Sequence, residues 1–114
     1  MDELDREWLK DMLEYSGKAV RILGAQDAVA LAGDETKFLA VSLAVQVVGE
    51  AANRVSRETQ ATLPQIPWTD IIAMRHRLVH GYHTRSPLVI AETVREHMPP
   101  LISALERALG DETE

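Results

Sequence analysis

The chain has 114 residues, a formal net charge of −6 and no cysteine. That length fits a single domain, 1–114, whose folding buries roughly two-thirds of the unfolded surface, and the missing cysteine excludes disulfides and thiolate metal sites. The charge argues against a broad nucleic-acid-binding surface built on many phosphate contacts; the acid-bearing start MDELDREWLK is not a signal peptide, and no apolar run reaches the length of a membrane span, so a cytoplasmic protein with no membrane partner is expected.

Nothing alternates with period two, so the expected fold class is all-α: a four- to five-helix bundle with short connections. The first helix spans about Leu4 to Leu23, with Leu4, Trp8, Met12, Tyr15, Ala19 and Ile22 as its apolar stripe and Gly24 as its stop. Its acid-rich start reads as a solvated terminus that suits the helix dipole. Residues 25–32 form at most a short helical piece before Gly33. Asp34 N-caps a second helix that continues to about Glu58. Its centre, FLAVSLAVQVVGEAA, is apolar almost all round, which predicts a central helix or one buried on two sides. Pro67 suits the first turn of a third helix, which ends at His80–Gly81. Ser86–Pro87 is a cap followed by proline at the first helical position, opening a fourth helix to about His97. Pro99 and Pro100 break that helix and start a fifth, striped by Leu101, Ile102, Leu105 and Leu109.

The charge is uneven. Residues 2–14 hold six acids, while RHRLVHGYHTR (75–85) holds three arginines, three histidines and no acid. A confined cationic patch on an acidic body suggests a local anion site. On a helical wheel, Trp68, Ile71, Ile72, Leu78 and Val79 define one face of the third helix, and Arg75 falls in its middle. An arginine there calls for a partner or a cleft. Three accounts compete: an ion pair with a buried carboxylate (Glu50, on the apolar second helix, with Asp70 behind it), a snorkelling side chain, or a functional cation lining an interface cleft. The last fits the central position best. His80 stands five residues on, about 140° around a regular helix. It meets Arg75 only if the helix loosens near Gly81 or if a second subunit supplies its own copy across a two-fold seam. His76 and His80 have metal-ligand spacing, but position 77 is Arg, whose charge opposes a dication, so no metal and no cofactor are expected. His76 reads as a solvent-side or RNA-contacting residue, and His83 equally as a loop residue or a phosphate contact.

The segment WTDIIAMRHRLVHGYH resembles the signature of HEPN-domain proteins of the HepT group: an arginine, four residues, a histidine, one residue and a tyrosine. Here these are Arg75, His80 and Tyr82, with the polar His76 directly after the arginine. The run VVGEAANRVS (47–56) followed by PQIPW (64–68) is similar to the family's approach to that motif. The likeness covers nearly the whole chain in helix order and length. After the motif the family often carries an Ile-Asp pair and a tryptophan; this chain has TRSPLVIAETV, a departure that bears on substrate choice.

The resemblance implies a dimerising fold and a metal-independent endoribonuclease, the toxin of a type VII toxin–antitoxin module. Arg75 would bind the scissile phosphate and His80 would act as general acid or base at the ribose 2′-OH, leaving a 2′,3′-cyclic phosphate. His76, Tyr82, His83 and Glu50 would support the site. The implied partners are a second copy in a homodimer, an RNA substrate (tRNA or mRNA), and an MntA-like nucleotidyltransferase antitoxin that adenylylates Tyr82. Two readings from other classes stay open: a HEPN module that binds nucleotide or RNA without cutting it, and a helical scaffold whose motif only receives the modification.

Overall fold

A computed structural model describes residues 1–80 and 86–113, with backbone alone for 77–80 and 111–113. Among the described residues every regular element is helical. The order is α1 (Glu3–Leu23), α2 (Ala28–Ala32), α3 (Glu35–Arg54), α4 (Arg57–Thr62), α5 (Trp68–His80), α6 (Pro87–Glu92), a π-helical turn (Thr93–His97) and α7 (Met98–Thr113). The caps come from the expected residue types. Asp2, Asp27, Asp34, Ser56 and Ser86 each accept a hydrogen bond from the backbone N–H three residues on. Gly24 ends α1 at φ 59°, the left-handed region where a side chain is strained.

The long helix α3 is central, packed against α1 on one side and α5 on the other, while α7 closes over α1. Leu9, Met12, Val41, Val45, Val48 and Leu105 are fully buried between them. The inner face of α1 keeps Met12 and Ala19 from the expected stripe and otherwise lies one position on, with Asp5, Leu9, Ser16 and Leu23 buried. Leu4 is 64% exposed, and Trp8, Tyr15 and Ile22 pack along the edge. Two cations cover the exposed aromatic faces, Arg54 5.4 Å from the Trp8 ring centre and Lys18 4.5 Å from Tyr15.

Three further expectations are corrected. The helix expected to continue to Glu58 stops at Arg54, because Val55 takes an extended conformation and Ser56 caps the separate helix α4. The start of α1 is not wholly solvated. Asp5 is 4% exposed and accepts three hydrogen bonds, from the Ser56 N–H at 2.9 Å, the Ser56 hydroxyl at 2.6 Å and the Thr59 hydroxyl at 2.6 Å. Burial alone would raise its pKa, but these donors hold it below the ordinary aspartate value. Gln60 completes the corner by donating to the carbonyls of Ala52 and Val55 at the end of α3. Finally, Pro99 and Pro100 do not break the chain's helical path. The turn widens to π geometry over Thr93–His97 and then continues as α7. The wide turn lies just ahead of two residues that have no N–H to donate back to it. Among the described residues, no helix is long and apolar enough to cross a membrane.

Candidate active site

The helix that carries the arginine is anchored at its start. The Trp68 backbone N–H donates to the Ile66 carbonyl at 2.9 Å and its indole N–H to the Leu63 carbonyl at 3.0 Å. Pro67, just before α5, has no N–H to leave unpaired, and its carbonyl accepts from Ile71. Trp68 and Ile71 are buried and Ile72 half-buried, so the apolar face expected from the wheel is the face that packs. Leu78 and Val79, expected to extend it, have side chains outside the described set.

Arg75 stands one turn beyond Ile71 and is itself half-buried. It meets α3 at Gly49. A Cβ placed on Gly49 would lie 2.2 Å from the Cβ of Arg75, 2.9 Å from its Cγ and 3.2 Å from its Cα. The two helices therefore touch backbone to stem at this crossing, with the first carbons of Arg75 seated where another residue would carry a side chain. The guanidinium Nε is sealed from solvent and has no hydrogen-bond partner among the described residues. A buried, unmade donor of this kind costs about 1–3 kcal/mol, and more when the group is charged.

The ion pair expected between Arg75 and Glu50 is not formed. Glu50 adjoins Gly49, yet its carboxylate pairs with Arg54 at 3.8 Å, both side chains being about half exposed. Among the described residues no carboxylate forms an ion pair with Arg75, and Asp70 lies exposed in the first turn of α5. His76 is exposed. The backbone of α5 is helical through His80, so position 80 stands about 140° around the axis from position 75. The side chain of His80 and the whole of Gly81, Tyr82, His83 and Arg85 lie outside the described residues. The structure thus brings Arg75 against Gly49, while the neighbouring Glu50 is turned to Arg54. No group of three or more His, Cys, Asp or Glu able to hold a metal occurs among the described residues.

Sequence reasoning passed over Gly49. The available signal was a glycine inside an otherwise apolar helix, where alanine would favour the helix by about 1 kcal/mol and a close approach is the usual reason for it. The opposite flank of α5 borders an open groove of about 750 Å³, walled by Pro67, Asp70, Met74, Thr93, His97 and Met98 among others. His97 is exposed on its rim.

Comparison with known proteins gives this geometry a family. The model of the ribonuclease HepT-like family matches residues 12–108. The chain belongs to the HepT-like family. A protein of Thermococcus cleftensis named "Probable ribonuclease HepT" is 32% identical over 77 residues, 68% of this chain and 69% of its own. Two proteins of Methanocaldococcus jannaschii, both named as RNases, are each 24% identical over 106 residues; these cover 93% of this chain and 88% and 91% of theirs. No solved structure matches significantly. The HepT-like match spans every element from the middle of α1 to α7, so the α3–α5 crossing and Arg75 both lie inside it.

Proposed function

We propose that this HepT-like protein is a metal-independent endoribonuclease that works as a homodimer, the toxin of a type VII toxin–antitoxin module. One observation carries the reading. Arg75 is held half-buried at a helix crossing, with a sealed, unpartnered guanidinium nitrogen and no carboxylate paired to it among the described residues. The sealed Nε fixes how the guanidinium sits, and the accessible part of this half-buried cation, claimed by no described carboxylate, suits an anion that arrives from outside; a scissile phosphate matches a guanidinium well.

In the proposed reaction His80 takes the proton of the ribose 2′-OH, and that oxygen attacks the neighbouring phosphorus. Arg75 stabilises the charge gathering on the phosphoryl oxygens. The bond from phosphorus to the 5′ oxygen breaks and that oxygen takes up a proton. The products are a 2′,3′-cyclic phosphate and a 5′-OH, with no metal required. Because positions 75 and 80 diverge around one helix, the partner subunit's copy of the motif completes the site across a two-fold seam. Leu39 and Leu43, one turn apart on α3 and 50% and 58% exposed, offer apolar surface for such an association. A nucleotidyltransferase antitoxin would silence the site by adenylylating Tyr82, placing bulky anionic groups beside the cation. His76, His83 and Glu50 are the proposed supporting residues, the RNA is a tRNA or an mRNA, and the location is cytoplasmic.

The test is incubation of the purified protein with total tRNA and with mRNA in excess EDTA, beside a His80→Ala control, followed by mapping of new ends. The expected result is cyclic-phosphate ends that survive the chelator and vanish in the variant. Absence of cleavage by protein of unmodified mass, or cleavage that EDTA abolishes, contradicts the reading.

A further inference from the structure

We infer that Gly49 is a positioning residue for the RNA-cleaving site, acting by seating Arg75 in a notch on α3. The inference rests on the ribonuclease reading above and adds to it a residue that never touches RNA. Its basis is the crossing itself. The nearest atoms to a Cβ at position 49 are Cβ, Cγ and Cα of Arg75, the first at 2.2 Å. These are the stem and backbone of the arginine, which cannot swing aside as the far end of a flexible side chain can. Any side chain at 49 must therefore push α5 away from α3 or turn Arg75 out of its seat. A fixed stem leaves fewer arrangements to the guanidinium, so its donors are held in place before the phosphate arrives. Gly49 itself is buried, which separates it from glycines kept only for a turn. It also has an ordinary helical backbone, since the one positive φ among described residues belongs to Gly24. What calls for glycine at 49 is the space taken by Arg75.

The experiment measures binding of a fluorescein-labelled single-stranded RNA of mixed sequence to the full chain, carrying His80→Ala so that the probe stays intact. Affinity is followed across salt concentrations for the parent, Gly49→Ala, Arg75→Ala and the combination. Each arginine–phosphate contact removed lowers the slope of log K against log salt by about 0.7 on a single strand. Gly49→Ala, folded by circular dichroism, is expected to weaken binding and to lower the slope as Arg75→Ala does. The combination is expected to be no worse than Arg75→Ala alone. Ala44→Val, an overpacking change elsewhere on α3, is expected to reduce stability and keep the slope.

A folded Gly49→Ala with the parent's slope overturns the inference while leaving the ribonuclease reading intact. An Arg75→Ala protein with the parent's slope overturns both. If Gly49→Ala does not fold, Gly49→Ala with Arg75→Gly is made, which removes the two closest atoms. Recovery of the fold supports the seat, and failure to recover it overturns the seat.

Discussion

The molecule treats two ionisable side chains at helix contacts in opposite ways. Asp5, where α1 meets α4, is almost wholly buried, and its carboxylate is met by one backbone N–H and two hydroxyls. Arg75, where α5 meets α3, is half-buried, and its Nε is sealed without a partner among the described residues. The first arrangement is complete within the chain and stabilises it. The second leaves a buried donor without a partner among the described residues, which calls for an explanation. Functional sites are where a protein tolerates such a shortfall. The contrast sets a completed structural corner against the arginine that we propose meets the scissile phosphate.

The largest effect expected from this contrast is on catalysis. Arg75→Ala should lower the rate of RNA cleavage about 100- to 1000-fold, the usual loss when one group stabilising transition-state charge is removed. Initial rates on a fixed RNA, normalised to folded protein, check this. Next comes Asp5→Ala, which strands three donors at once and should destabilise the fold by about 3 kcal/mol in urea unfolding. Its cleavage rate per folded molecule should not change, and a large loss there would blur the distinction between the corners.

Acid sharpens the same point with a smaller effect. The folded pKa of Asp5 lies below its ordinary value of 3.8, since the Ser56 and Thr59 donors outweigh burial. A depressed carboxylate adds stability that is fully present above the unfolded pKa and is lost as pH falls through the folded one. The stability gap between the parent and Asp5→Asn should therefore be level above about pH 5 and narrow below about pH 4. A gap independent of pH would show that the carboxylate charge is not what the corner uses. The smallest effect belongs to Glu50→Gln. Its partner is Arg54, in an exposed pair at 3.8 Å, so thermal unfolding should shift by less than about 1 kcal/mol.

Much of this was legible in the sequence, and for local reasons. Asp34, Gly24 and Ser86–Pro87 bounded their helices because caps act through neighbours three or four residues away. Arg75 stood out because a charge in the middle of an apolar face is visible on a wheel. The break after Arg54 was hidden, because apolar spacing continues past it and the carboxylate that bonds Ser56 comes from 51 residues earlier in the chain. The shift of the buried face on α1 has the same origin: Asp5 enters the interior because Ser56 and Thr59 receive it, and no periodicity favours an acid over Leu4. Pro99 and Pro100 misled because a wider turn can absorb two missing N–H groups without ending the helix. Gly49 showed only as a glycine inside an apolar helix; what it makes room for appears when α5 is laid across α3.

The most direct test of the central claim is chemical unfolding of Arg75→Ala against the parent. If Arg75 is kept for an incoming phosphate, removing it relieves an unpaired buried donor, and stability should stay within about 1 kcal/mol of the parent or rise. A loss of about 3–5 kcal/mol, the result of stranding one half of a buried ion pair, would show that Arg75 serves the fold and would contradict the account.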